Sequence, residues 1–347
     1  MTDKRIRTME EFAQTVGLSR PTVSKYFQDP GSVRVKVRER IEAAIQTTGF
    51  RPNLFAVNLN RRRSKITGLI FPDSLDPFYM GLRRHIETEA MAAGYLPFVF
   101  SSDGKPELEA EAIETLTSLN VAGVVMAPVG GPTAHRAKVK ALARNIPIVF
   151  IDAPFDAEEA FVGNNNAQSM AVITDYLTRL GDHPCYFDMP WVTSNADERR
   201  QAYAETMQRR GFEPIFLPVE RSATWEFERY AFDQTKQVLQ SGGFPTRTVL
   251  CASDRVAFGV LAAVQAAGLK VGIEPDCDLR VAGHDDHPLS EYIWPPLTTV
   301  RQNTTEMGRL AVGLLLSKLD TPQAPDPDRA RPEQTLVSAE LVLRASA

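Results

Sequence analysis

The sequence predicts an α/β protein with a small all-α head and a large body of parallel sheets. Three observations carry this expectation. First, charge divides the chain of 347 residues: positions 1–65 hold 14 Lys/Arg against 6 Asp/Glu, a net +8, whereas the remainder holds 25 against 37, a net −12. A basic head on an acidic body is the footprint of a nucleic-acid-binding module joined to a different one. Second, two short helical patterns around a glycine turn open the chain. Third, from residue 66 onward apolar runs alternate with helical patterns, which is how parallel sheets covered on both faces read. The length exceeds what one core holds, so two or three domains are expected.

The head is read first. Thr8 and Glu11 have the spacing of a capping box, in which each side chain satisfies an orphan N–H of the first turn. Phe12, Ala13 and Val16 then repeat at helical spacing. Gly17 permits a sharp turn without a Cβ clash. Ser19 is placed to cap a second helix, with Pro21 in its first turn where a missing N–H costs nothing. Val23 and Phe27 are expected inward; Arg20, Pro21, Thr22, Ser24 and Lys25 remain outward at the N-terminal end, as a recognition helix in a major groove requires. The plainer reading is a helical hairpin on a surface. A third helix is expected over 35–48, with Val37, Ile41, Ala44 and Ile45 on one face and Gly49 as its stop. The basic run Arg61-Arg62-Arg63-Ser64-Lys65 follows.

In the body, strands are expected at 66–71, 96–100, 121–127, 147–152, 184–189, 214–218, 247–251 and 279–283, and a last one at 336–343. Helices are expected at 78–93, 107–119, 133–145, 165–180, 197–210, 226–240 and 254–267. These are more βα steps than one doubly wound sheet holds, so two Rossmann-like subdomains are expected. Ligands of such sheets bind beyond the carboxyl ends of the strands. Asp73, Asp152, Ser253, Asp254 and Asp285 each stand just after an apolar strand run.

Several function classes are disfavoured. The start of the chain is charged and lacks an apolar signal core, and no run of about 18 apolar residues is present, so neither export nor a membrane span is expected and the cytoplasm is. Cys185, Cys251 and Cys277 lack metal-ligand or disulfide spacing. Nucleotide-binding glycine motifs, a zinc-protease motif and a nucleophile elbow are missing, so no enzyme and no cofactor is expected. His284 and His287 flank Asp285-Asp286, the one place for acid–base work, and a loop at a ligand cleft explains them as well.

The motifs in this order resemble the LacI/GalR (lactose-repressor) family of bacterial transcription regulators. The resemblance rests on Thr-Val-Ser-Lys at 22–25, Ile-Glu-Ala-Ala at 41–44, Gly-Phe-Arg-Pro-Asn at 49–53 and Ala56-x-x-Leu59. Toward the other end it rests on Val-Ala-Gly-His-Asp-Asp at 281–286, Pro-Pro-Leu-Thr-Thr-Val-Arg-Gln at 295–302 and Glu-Leu-Val-Leu-Arg at 340–344. It implies a helix-turn-helix domain over 1–52, a hinge helix and linker over 53–65, and a periplasmic-binding-protein-like clamshell over 66–347. Lobe 1 would take 66–162 and 301–330, and lobe 2 would take 163–300 and 331–347. It also implies a homodimer on double-stranded operator DNA, most simply a repressor, controlled by a small-molecule effector such as a sugar or sugar derivative. No leucine heptad follows residue 343, so a tetramer-forming tail is not expected.

The residues carried over by that resemblance are these. DNA contacts fall to Thr8, Ser19, Arg20, Pro21, Thr22, Ser24, Lys25, Arg51 and Asn53, with Ala56 and Leu59 in the hinge and Leu59 as a minor-groove wedge. The effector would be held by Asp73, Phe78, Asp152, Asn195, Arg199, Trp225, Ser253, Asp254, Asp285 and Gln302. Carboxylates with an arginine, an asparagine and an aromatic suit a polyhydroxylated ligand, because paired hydroxyls take bidentate hydrogen bonds and the C–H face stacks. Plainer readings stand beside these: Asp254 as a helix cap, Asp152 as a turn closure and Trp225 as packing. Two alternatives stay open, a regulator answering a protein partner and a sugar-receptor-like protein without DNA function. The sequence departs from the family pattern at Arg34, at Asn165-Asn166-Ala167-Gln168-Ser169 and at Gly181-Asp182-His183-Pro184; the last two bear on pocket chemistry.

Overall fold

The computed structural model describes residues 6–53, 64–73, 75–179, 183–320 and 333–347. The hinge positions Ala56 and Leu59 lie outside the described residues. In the head, α1 (Met9–Val16), α2 (Arg20–Gln28) and α3 (Val35–Thr48) surround one small core. Thr8 and Glu11 make the reciprocal capping box, and Gly17 ends α1 in the left-handed region at φ 63°. Phe12 stacks on Phe50 with ring centroids 4.4 Å apart. Tyr26 is buried deeper than Phe27, which the sequence pattern had turned inward; the more buried ring lies one position earlier and sends its hydroxyl toward Glu42.

The body contains two parallel sheets. The first has six strands in the order β11-β5-β4-β3-β1-β2: β1 (Ile66–Phe71), β2 (Leu96–Ser101), β3 (Val124–Met126), β4 (Ile148–Ile151), β5 (Phe161–Asn164) and β11 (Gln334–Val337). It is covered by α4 (Pro77–Ala92), α5 (Pro106–Ser118), α6 (Thr133–Ala143) and α11 (Thr304–Asp320). The second sheet has four strands in the order β7-β6-β8-β9: β6 (Cys185–Phe187), β7 (Ile215–Phe216), β8 (Thr248–Cys251) and β9 (Arg280–Ala282). Its helices are α7 (Asn166–Arg179), α8 (Asn195–Arg209), α9 (Phe227–Gln240) and α10 (Asp254–Ala266). A two-stranded antiparallel ribbon, β10 (Thr299–Arg301) with β12 (Glu340–Val342), lies where the chain passes between the lobes.

The topology moves two expected boundaries. Residues 334–337 pair in parallel with β5, so this strand is an edge of the first sheet and the chain crosses to the second lobe after Val337, not near 330. The single strand expected at 336–343 is two strands in two sheets, broken at 338–339. Strand β5 likewise belongs to the first sheet, which puts the first crossing after Asn164.

Candidate functional site

On the head, the exposed face of α2 is built by its cap. The Ser19 hydroxyl accepts the Thr22 N–H at 3.3 Å and lies 2.8 Å from the Thr22 hydroxyl, so both polar groups are engaged at the helix start. Arg20, Pro21 and Lys25 are exposed there, and Thr22 and Ser24 are half-buried. Val23 and Tyr26 anchor the opposite side in the core. The helix N-terminus carries a partial positive charge, which Arg20 extends, and Lys25 adds a second cation in the last turn of the same helix. Exposed Thr8, Arg51 and Asn53 lie at the ends of the three-helix unit. A small positive protrusion of this kind can enter a groove and contact phosphates on either side.

In the body, the strand ends of both lobes face one another and polar side chains meet between them. Asp285 is the centre. Its Oδ1 lies 3.0 Å from Arg199 Nη2 and accepts from Gln302 Nε2 at 2.7 Å, with His284 Nδ1 at 2.9 Å. Burial works against the Asp285 carboxylate, but Arg199 and the hydrogen bonds outweigh it and hold its pKa below the usual range. Burial pushes the neighbouring His284 down to about 4, so that histidine is neutral. Arg199 reaches further, donating to the Ala252 carbonyl at 2.7 Å and to Asn166 Oδ1 at 3.3 Å. Asp152, from lobe 1, accepts the Tyr79 hydroxyl at 2.8 Å and, across the cleft, Asn195 Nδ2 at 3.1 Å. Burial raises Asp152 to about 7. Asp152, Asp285 and Asp286 all adopt positive φ, at 69°, 125° and 54°. Backbone strain of this kind persists where the surroundings over-determine it, as at ligand sites.

A second bridge spans the lobes. Arg255, at the start of α10, donates to Asp76 Oδ2 at 2.9 Å on lobe 1. On its own lobe it forks onto Glu228 at 2.7 and 2.8 Å and donates to the Trp225 carbonyl at 3.0 Å. Trp225 stacks on Phe227 at 6.1 Å and tilts toward Tyr79 of lobe 1 at 6.4 Å.

The expected effector residues separate into groups. Asp152, Asn195, Arg199, Trp225, Ser253, Asp285, Gln302 and Phe78 line one inner compartment of about 40 Å3. Ser253, not Asp254, caps α10, accepting from the Val256 N–H at 3.3 Å. Asp254 is fully buried; it accepts from Ser290, Thr299 and the His287 N–H, which closes both of its oxygens inside lobe 2. Asp73 does not reach the inner compartment: its Oδ1 accepts the Leu75 N–H, and it lines a separate recess of about 20 Å3 beside Arg83. Sequence reasoning missed Tyr79, Asn166, Arg255 and Asp76. Two of them, Tyr79 and Arg255, adjoin residues that were chosen, but adjacency does not tell which side chain turns into a cleft.

Two family models match the chain. "Bacterial regulatory proteins, lacI family" matches residues 8–53, and "Periplasmic binding protein-like domain" matches residues 185–347. The chain is 28% identical to the ribose operon repressor of Escherichia coli (strain K12), over 91% of this chain and 94% of that protein. It is also 28% identical to the HTH-type transcriptional repressor CytR of the same organism, over 98% of this chain and 96% of that one. Among solved structures, the lac repressor dimer bound to operator and the anti-inducer ONPF superposes with a TM-score of 0.82 at 24% identity, covering 98% of both chains. The described residues contain no helix long and apolar enough to cross a membrane. Head and body thus come in the order of a lacI-family DNA-binding region followed by a periplasmic-binding-protein-like domain.

Proposed function

We propose that the protein is a dimeric transcriptional repressor whose grip on operator DNA is set by a neutral polyol, a sugar or sugar derivative, held between the two lobes. The observation that carries the effector assignment is Asp285, whose Oδ1 takes three donors while Oδ2 has no protein donor among the described residues. Beside it stand Asp152 and Asn195 from opposite lobes. Vicinal hydroxyls satisfy such carboxylates and amides in pairs, and the Trp225–Phe227 wall offers an apolar face for the C–H side of a sugar. The similarity to two repressors supports the DNA role, and the ribose operon repressor among them supports a sugar.

The coupling follows from placement. The head joins lobe 1, and a ligand changes DNA affinity only by binding open and closed lobe arrangements differently. The test is operator binding by fluorescence anisotropy with and without a panel of sugars. Asp285→Asn and Arg199→Ala should lose the ligand response and keep basal operator affinity. An unchanged ligand response in both variants would reject the site.

A further inference from the structure

We propose that Asn164, Ser169 and His284 form a one-way hydrogen-bond chain that runs from the crossing between the lobes to Asp285 and positions that carboxylate. This rests on the effector reading above and adds positioning residues behind its central group. Asn164 ends β5 on lobe 1, just before the first crossing, Ser169 lies in the first turn of α7, and His284 follows β9 on lobe 2. All three are buried. Ser169 falls in the stretch 165–169, where the sequence departs from the family pattern.

The direction of the chain follows from groups that can act in one sense only. A guanidinium donates and a carboxylate accepts. Arg199 Nε therefore turns Asn166 Oδ1 toward itself at 3.3 Å, and Glu198 Oε2 takes Asn166 Nδ2 at 2.8 Å. Asn164 must then present Nδ2, which donates to Asn166 Oδ1 at 3.1 Å and to Ser169 Oγ at 3.0 Å. The Ser169 hydroxyl accepts from Asn164 and donates to His284 Nε2 at 2.9 Å, closer than the Asn166 carbonyl at 3.3 Å. A neutral imidazole that accepts at Nε2 carries its proton at Nδ1. Nδ1 lies 2.9 Å from Asp285 Oδ1, so the chain ends as a donor on that oxygen. The reverse order would set a bare nitrogen against a carboxylate. The origin of the chain shows what this order costs: Asn164 Oδ1 is buried with no hydrogen-bond partner among the described residues. A buried acceptor left unpaired is unfavourable, and the two donor bonds of the same amide hold it there.

The charged groups around His284 are few. Asp285 stands beside it, and Arg199 approaches from α8. The Asp254 N–H, at the start of α10, donates to the His284 carbonyl, while its carboxylate is closed by Ser290, Thr299 and the His287 N–H. Asp286 is engaged by Arg301 and Arg344. From β5 and α7 come Asn164 and Ser169, neither of them charged.

The test reverses the chain while keeping its shape. In Asn164→Asp the group facing Ser169 accepts instead of donating. The serine hydroxyl turns to it, Oγ is left to accept from His284 Nε2, and the ring takes up a second proton. Nitrogen-15 NMR of histidine-labelled, full-length protein reads this, since the chain holds five histidines and His284→Phe identifies one resonance set. The unsubstituted protein should show His284 as one neutral tautomer, protonated at Nδ1, with a titration near 4. Asn164→Asp should carry that titration up to about 6–7, the size of change an added acceptor carboxylate brings. Ser169→Ala removes a single oxygen. Alone it should move the Nε2 resonance toward that of an unbonded nitrogen, and combined with Asn164→Asp it should cancel most of the rise. Calorimetry with D-ribose should show affinity about tenfold weaker in both single variants, roughly 1.4 kcal/mol. A His284 titration unmoved by Asn164→Asp, or moved equally without Ser169, would overturn the chain. Unchanged Nε2 resonances in Ser169→Ala would do so too, and D-ribose affinity unaltered in both single variants would overturn its positioning role. D-ribose binding indifferent to Asp285→Asn, with the expected spectra, would instead place the failure in the effector reading.

Discussion

At the scale of single residues, exposure and partnership decide what each side chain does. Arg20 stands free of the head's core at the start of the recognition helix, and Arg51 stands after its third helix. We propose that the first reads base edges and the second holds phosphates. Arg20→Ala should change the ranking of operator variants at particular base pairs, by about 1–3 kcal/mol for a lost bidentate contact. Arg51→Ala should weaken every sequence alike. A binding-site selection on both variants checks this, and equal loss across all sequences for Arg20→Ala would reverse the assignment. Asp152 gives a pH prediction. Its folded pKa of about 7 lies above the ordinary carboxylate value, because burial opposes its charge. The folded state therefore holds a proton that the unfolded state releases, and stability falls as pH rises from about 4 to about 7. Asp152→Asn should flatten that decline by an amount on the order of a few kcal/mol at pH 8, read from urea denaturation at several pH values. An unaltered pH slope would mean that other buried acids carry it.

At the scale of elements, what matters is which helix starts meet across the cleft. The N-terminus of α10 presents Arg255 to Asp76, which itself caps α4 by accepting the Phe78 N–H at 2.8 Å. One guanidinium thus ties two helix starts on different lobes. Removing it by Arg255→Ala should raise amide hydrogen exchange around 76–79 and 225–228, because the lobes part more often. Unchanged protection there would show that the aromatic contacts alone hold the cleft shut. The strands and helices of the body were mostly legible, since buried apolar runs such as 148–151 and amphipathic stretches such as 254–266 announce themselves by period. The four residues of β5 are too short a run to separate from a loop, and Gly163 interrupts them. The pairing of 334–337 with 161–164 joins segments far apart in sequence and leaves no local mark. The same holds in the site. Asp285, Arg199 and Asp152 were recognisable by their positions after strands or in a motif. The roles of Asp254 and Asp73 turned on side-chain direction, which spacing does not encode.

For the whole molecule, two heads are needed, because one helix-turn-helix unit covers too little DNA for specificity. A dimer reads two half-sites related by its own two-fold axis. Moving those half-sites apart by about five base pairs, half a helical turn, should abolish specific binding, while a full-turn insertion should restore part of it. Gel shifts with spaced operators measure this, and indifference to spacing would argue for heads that act singly. One consequence lies in the order of synthesis. The head closes its core with residues no later than Phe50. Neither lobe can do so: the first sheet takes its edge from 334–337, and in the second lobe the Ser346 hydroxyl donates to the Val281 carbonyl and Ala347 is fully buried. On the ribosome the DNA-reading unit is thus complete long before either half of its sensor. For most of its translation each chain carries a head able to touch DNA and a body unable to hear the effector, and control begins only when the last segment threads through both lobes.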